Sequence, residues 1–152
     1  MDNSRYKFRA WYETENRMLD WDELQDGTEQ LESYFNNELH DVSPVMQFTG
    51  LKDIEQFEEP RELYTGDIVS MHQFLFDGEE WENEVIGVLE YDEDVAAVCL
   101  TKIKHHDIRK YMGFSNPEEF KDEKIPVCMF YGLHETSWTY LGNIYENPEL
   151  LK

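Results

Sequence analysis

The sequence predicts an α+β fold that is mainly β and forms a small closed or half-closed barrel. Short runs rich in Val, Ile, Tyr, Phe and Trp recur between residues 45 and 145, and each has the length of one strand. Turn-forming Asp, Gly, Asn and Pro residues separate these runs. The chain is 40% hydrophobic and 14% aromatic, which is enough to build a core despite a mean hydropathy of -0.72.

The chain begins with a predicted β-hairpin over residues 5–21. Residues 6–12 (YKFRAWY) alternate large apolar and basic side chains at the period of a half-buried strand. Residues 13–16 (ETEN) have the composition of a turn, and residues 17–19 (RML) supply a short return strand.

A helix is predicted over residues 28–39, where apolar side chains recur at spacings of three and four. Thr28 can cap this helix, and Gly27 separates it from the preceding segment. We place a domain boundary near residue 43. Residues 1–43 then form a hairpin-plus-helix element, and residues 44–152 form the β domain.

The β domain contains six predicted strands and a helical insert. The insert spans residues 104–122, where His105, Ile108 and Met112 share a helical face and Ser115 begins a second helical segment. A short helical turn follows Pro148. The predicted strands cover residues 45–49, 68–76, 84–91, 95–100, 125–133 and 138–145.

The charge of the chain is strongly negative and unevenly distributed. The net charge is -21, and residues 51–100 alone have 15 acidic and 2 basic side chains. Such a surface repels phosphate, so we expect no direct binding of nucleic acid. It would attract a basic protein or imitate a polyanion, although the charge also keeps a small domain soluble.

No pattern of catalytic or metal-ligating residues appears in the sequence. Asp92, Glu93 and Asp94 lack the spacing of a calcium-binding loop, and the adjacent His105 and His106 cannot grip a metal from one helix face. Cys99 and Cys128 lie in apolar, strand-like runs, so we interpret both as buried thiols. We therefore expect no enzyme activity, no cofactor and no metal.

Trp81 is the most unusual aromatic residue because glutamates surround it. Two interpretations of Trp81 stay open, an interface anchor or a residue that tethers an acidic loop. We expect Trp81→Ala to leave the fold intact while weakening partner binding or self-association, whereas a large loss of thermal stability would make it a core residue. The acidic segments 53–62 and 77–94 are the expected contact region. The predicted interaction surface consists of Trp81, Glu79, Glu80, Glu82, Glu84, Asp92, Glu93 and Asp94.

Three groups of residues resemble the YopX family of bacteriophage and prophage proteins. They are residues 7–11 (KFRAW), then 46–53 (MQFTGLKD) with 63–69 (LYTGDIV), then 141–151 (LGNIYENPELL). The resemblance implies an SH3-like β roll with a smaller N-terminal element, and no catalytic residues. The loop 54–62 departs from the family pattern because it has no Asn-Gly turn.

The glycines of the shared strings have an expected structural role. Gly66 and Gly142 would each allow a sharp turn into a strand, and the polar residue after each would bond the turn backbone.

The sequence therefore predicts a phage or prophage accessory protein that acts by non-enzymatic protein–protein contact. Its expected partner is another protein or a second copy of the chain. The alternative is an acidic mimic of DNA that occupies a DNA-binding protein of the host or phage. No apolar run has the length of a membrane helix and the start lacks a signal peptide, so we expect a cytoplasmic location without membrane contact.

Overall fold

The structure of the protein is a computed structural model. It describes residues 6–76, 78–107, 124–130 and 135–152. The chain divides into two compact units, residues 1–50 and residues 51–152. In the described residues the fold is mainly β, as the sequence predicts.

The first unit begins with the predicted hairpin. Strand β1 (Phe8–Tyr12) pairs antiparallel with β2 (Arg17–Leu19), and Asn16 in the turn between them has φ of 53°. The other edge of β1 pairs with the start of β3 (Met46–Asp53), where Phe8 lies opposite Gln47.

Two short helices lie between β2 and β3. Helix α1 (Trp21–Asp26) begins at a capping box, because Asp20 accepts the backbone N–H of Glu23 and the Glu23 side chain accepts the N–H of Asp20. Helix α2 (Leu31–Phe35) follows. The core of this unit contains Ala10, Leu19, Leu24 and Tyr34.

The single helix predicted over residues 28–39 is wrong in its bounds. The N-cap of α2 is Gln30 rather than Thr28. The helix ends early because Asn37 adopts φ of 55°, which turns the chain out of the helix. The apolar residues do recur at helical spacing, but turns before Leu31 and after Phe35 make the helix shorter than this spacing predicts.

The second unit is built on a five-stranded sheet with the order β8–β7–β6–β5–β9. All four pairs of neighbouring strands in this sheet are antiparallel. Strand β4 (Arg61–Tyr64) lies outside this sheet and pairs with β3. The strands of the sheet are β5 (Asp67–Phe76), β6 (Glu80–Asp92), β7 (Ala97–Asp107), β8 (Ile125–Pro126) and β9 (Glu135–Asn143).

One face of this sheet builds the larger core. Leu63, Met71, Leu89 and Phe130 are among its fully buried side chains. Trp138 is 5% exposed, and its ring meets that of Phe130 edge to face with centroids 5.8 Å apart. Such a pair adds roughly 1 kcal/mol to the burial of its rings.

Residues 104–107 were predicted to begin a helix but are extended. Strand β7 continues to Asp107, with His105 opposite Ile86 and His106 opposite Val85. Pairing with β6 supplies the backbone hydrogen bonds that the helix would have made, so tertiary context overrides the local pattern. The remainder of the predicted insert, residues 108–122, lies outside the described residues.

The predicted strand over residues 125–133 is also wrong. Only Ile125–Pro126 pairs as a strand, and Val127–Phe130 forms a 3-10 helix. Residues 131–133 lie outside the described residues. The short terminal helix is confirmed, because a 3-10 helix spans Pro148–Leu151.

Candidate interaction surface

The polar residues of the YopX-like strings hold backbone turns. The carboxylate of Asp67 accepts the backbone N–H of Tyr64 at 2.8 Å. The side-chain oxygen of Asn143 accepts the N–H groups of Tyr145 at 3.0 Å and Glu146 at 2.9 Å. Both contacts confirm that the polar residue after each glycine bonds the turn backbone.

The two glycines of these strings differ in role. Gly66 has φ of 92° and directly precedes β5, which confirms the predicted sharp turn into a strand. Gly142 lies near the end of β9, so its predicted turn into a strand is wrong. It is instead a point of close approach, because a Cβ there would lie 2.4 Å from the side-chain oxygen of Asn147.

The predicted interaction residues divide into two groups at opposite ends of β6. Glu79, Glu80, Trp81, Glu82 and Glu84 lie at its start, whereas Asp92 ends the strand and Glu93 and Asp94 follow it. Trp81 and Asp92 are eleven positions apart, which is about 36 Å along a strand. The structure therefore does not bring the eight residues together.

Asp92 has a clear structural contact set. It is 8% exposed, and its carboxylate accepts the backbone N–H groups of Asp94 and Val95 and the ammonium of Lys124 at 2.6 Å. The bond from Lys124 and those from the backbone hold the pKa of Asp92 below its ordinary value, against the effect of burial. Asp92 thus shapes the turn after β6, while Glu93 and Asp94 are exposed in that turn.

Trp81 lies in a strand, not in the acidic loop that we predicted. It is opposite Leu75 in the pairing of β6 with β5 and is half-buried. Because side chains alternate along a strand, Trp81 shares its face with Asn83 and Val85, which are fully buried. The glutamates at 80, 82 and 84 point to the opposite face.

Two phenylalanines that we did not predict lie among those glutamates. Phe74 is opposite Glu82 and Phe76 is opposite Glu80, so each ring shares a face with its partner. Phe76 is 72% exposed and Phe74 is 37% exposed. Residues 68–76 were predicted as a strand without assigning its faces, although Ser70 and His72 at alternate positions could have indicated which half points outward.

Neighbouring strands extend this face with further acidic residues. Glu135 of β9 is opposite Phe74, and Asp107 of β7 is opposite Glu84. A groove of about 380 Å³ lies at this end of the sheet, and Glu79, Trp81 and Asn83 line it together with part of this face. We call the surface the acidic–aromatic face and define it by His72, Phe74, Phe76, Glu80, Glu82, Glu84, Asp107 and Glu135.

Among the residues that define the acidic–aromatic face, His72 is the only one whose side chain can have a positive charge. The His72 imidazole lies 3.8 Å from the Glu82 carboxylate, and at the border of the face His105 lies 4.0 Å from Glu84. These pairs attract only when the imidazole is protonated. Two exposed rings among five carboxylates therefore form a cation-attracting surface.

Three other features of the sequence can be located in the structure. Trp11 is 7% exposed and belongs to the buried apolar set. Cys99 is fully buried, and burial raises its pKa, whereas Cys128 is exposed in the 3-10 helix, which corrects the prediction of two buried thiols. Asp53 is fully buried, so it does not belong to an acidic surface.

The described ranges contain no group of three or more His, Cys, Asp or Glu residues placed to hold a metal ion. In the same ranges, no helix has the length and apolarity that crossing a membrane requires.

The YopX protein family model matches residues 7–152, which is nearly the whole chain. No curated protein and no solved structure matches the chain. The match includes all three strings, two of which contain the turn-holding residues Asp67 and Asn143. The chain belongs to the YopX family.

Proposed function

We propose that this chain is a non-enzymatic protein-interaction module of a phage or prophage, and that its acidic–aromatic face binds a basic segment of another protein. The observation that supports it most directly is Phe76, which leaves 72% of its surface exposed beside Glu80. Exposed aromatic rings of this kind are enriched in protein interfaces.

The chemistry of the face selects a partner with lysines or arginines. An ammonium or guanidinium group can bond the carboxylates of Glu80 and Glu82 while its alkyl stem packs on Phe74 and Phe76. A cation over a phenylalanine face adds an attraction of about 0.5–1 kcal/mol at an exposed site. A second copy of the chain would place carboxylates against carboxylates here, so another protein is the better occupant.

The finer description of the fold belongs to the same proposal. Family membership supports an SH3-like β roll in the second unit, an accessory role in the phage cycle and a cytoplasmic location. The antiparallel five-stranded sheet is compatible with such a roll.

The test is capture of partners from host lysate by the wild-type chain and by Phe74→Ser/Phe76→Ser. The substitutions remove two rings of the face without altering charge. We expect a folded protein, a modest fall in melting temperature because Phe74 is only 37% exposed, and loss of the captured protein. Glu93→Gln, in the turn at the other end of β6, is the matched control and should capture as wild type does.

Salt and duplex DNA complete the test. Capture should weaken with rising salt because carboxylates provide part of the attraction. A captured DNA-binding protein that excess duplex DNA displaces would instead support polyanion mimicry. Capture that is equal for wild type and the double variant would overturn the acidic–aromatic face as the binding surface.

A further inference from the structure

The first unit contains a cavity that the proposed function does not use. Its volume is about 530 Å³, within the range of small-molecule pockets. It lies among the β1–β2 hairpin, the two helices and the segment before β3. Every residue that lines it belongs to residues 12–42.

Apolar and acidic side chains both line the cavity. Leu19, Leu39 and Val42 supply apolar surface. Four carboxylates, which we call the acidic rim, belong to Glu23, Asp26, Glu29 and Asp41. The lining is more polar than apolar, which suits a small ligand that has a positive charge and a short apolar stem.

Arg17 supplies the one guanidinium that lines the cavity, and it pairs with only one of the four rim carboxylates. Arg17 bonds Glu15 through Nε and Glu23 through Nη1. Among the described residues, Asp26, Glu29 and Asp41 form no ion pair, and Asp41 accepts only the hydroxyl of Thr14 at its carboxylate. Three negative charges therefore face the cavity without a cation.

A buried phenol points to a ligand independently of these charges. Tyr34 lines the cavity and is only 7% exposed, yet its hydroxyl has no hydrogen-bond partner in the described part of the chain. Burial and the nearby carboxylates of Glu29 and Glu23 raise the pKa of Tyr34. The hydroxyl opens on the space of the cavity, so it is available to bond a ligand there.

Gly27 keeps the space beside this hydroxyl open. A Cβ at Gly27 would lie 3.9 Å from the Tyr34 hydroxyl oxygen and 2.8 Å from the backbone oxygen of Glu23. A side chain at this position would therefore press on α1 and occupy the approach to the phenol.

We infer that this cavity binds a primary alkylammonium group, with the ammonium bonded to Glu29, Asp26 and the Tyr34 hydroxyl and the alkyl stem packed on Leu39 and Val42. The ammonium has three donors, which match two carboxylates and one phenol oxygen. A free amine and the side chain of a lysine both present this chemistry. The site lies in residues 12–42 and does not rest on the acidic–aromatic face.

The experiment is a titration of the full chain with n-butylammonium, followed by backbone amide NMR shifts at constant ionic strength. We expect saturable shifts at Gly27, Leu39 and Val42, and weaker shifts with neutral 1-butanol at the same concentration. N-acetyl-lysine methylamide is the second probe. Tighter binding of this probe would identify a lysine side chain as the ligand, and tighter binding of n-butylammonium would identify a free amine.

Three variants separate this site from the general attraction of cations to an acidic protein. Glu29→Gln should weaken binding about 3- to 10-fold because it removes one charged acceptor. Glu93→Gln removes the same charge from an exposed turn of the second unit and should leave affinity unchanged. Tyr34→Phe should weaken binding about 3-fold while melting temperature stays at the wild-type value, because the hydroxyl has no described protein partner.

Shifts that do not saturate, or that spread over the acidic residues of both units, would overturn the inference. Equal losses of affinity in Glu29→Gln and Glu93→Gln would overturn it as well.

Discussion

The carboxylate of Asp53 accepts the backbone N–H of Tyr140 at 2.9 Å, across 87 positions of the chain. The same carboxylate accepts the backbone N–H groups of Glu55 and Gln56 and the side-chain amide of Gln56. Asp53 is fully buried and ends β3, whereas Tyr140 lies in β9. One buried charge therefore joins the loop after β3 to the edge strand of the large sheet.

Asp53→Ala should lower the free energy of unfolding by about 2–4 kcal/mol, because it leaves several N–H donors without their acceptor. Asp53→Asn keeps the shape and one acceptor oxygen, so its loss should be smaller. Chemical denaturation of the three proteins measures both differences. A loss below about 1 kcal/mol for Asp53→Ala would contradict the structural role.

Asp53 also predicts a pH dependence of stability. Burial alone would raise its pKa, but the hydrogen bonds from Tyr140, Gln56 and Glu55 outweigh burial and hold it below the ordinary value of 3.8. The unfolded chain therefore binds the proton more readily than the folded chain. The stabilisation is complete above the ordinary pKa and is lost as pH falls from there through the folded pKa.

Comparison with Asp53→Asn isolates this titration. The difference in unfolding free energy between wild type and Asp53→Asn should be constant above about pH 5 and shrink below about pH 4. Urea denaturation at closely spaced acidic pH values measures it. A difference that stays constant down to pH values where the wild type unfolds would show that Asp53 is not the responsible group.

Asp92 should act on stability rather than on partner binding. Asp92→Ala removes the acceptor of the Asp94 and Val95 N–H groups and the partner of Lys124, so the melting temperature should fall by several degrees. Glu93→Gln, one residue away and exposed, should leave it unchanged. Thermal unfolding followed by circular dichroism compares them, and equal melting temperatures would remove the role assigned to Asp92.

The sequence predicted elements best where one local pattern was enough. The hairpin of β1 and β2 followed from alternation and turn residues, and the 3-10 helix after Asn147 followed from Pro148. The extension of β7 to His106 and Asp107 could not be predicted, because it depends on pairing with a strand some twenty residues earlier.

The sequence identified the acidic residues of the candidate surface but not how the strands arrange them. The glutamates around Trp81 were identified from the sequence. Their direction away from the Trp81 side chain was not, because it follows from alternation along β6 and we had predicted an acidic loop there. Phe74 and Phe76 were missed because residues 68–76 were predicted only as a strand, without assigning alternate positions to a buried and an outward face. Asp92 was grouped with surface acids because its contact with Lys124 spans 32 positions of the chain.

Two glycines of the second unit should differ in their tolerance of a methyl group. A Cβ at Gly87 would lie 2.6 Å from the backbone oxygen of Thr101, so strands β6 and β7 would have to separate. A Cβ at Gly142 would lie 2.4 Å from the side-chain oxygen and 2.9 Å from the Cβ of Asn147. The amide can rotate at the cost of its bond to the Asn143 N–H, but the Cβ is fixed to the backbone, so the turn itself must shift slightly. We expect Gly87→Ala to cost about 3 kcal/mol and Gly142→Ala about 2 kcal/mol. Denaturation midpoints measured in parallel decide the order, and a larger loss for Gly142→Ala would mean that the turn after β9, rather than the contact of β6 with β7, is the more rigid of the two.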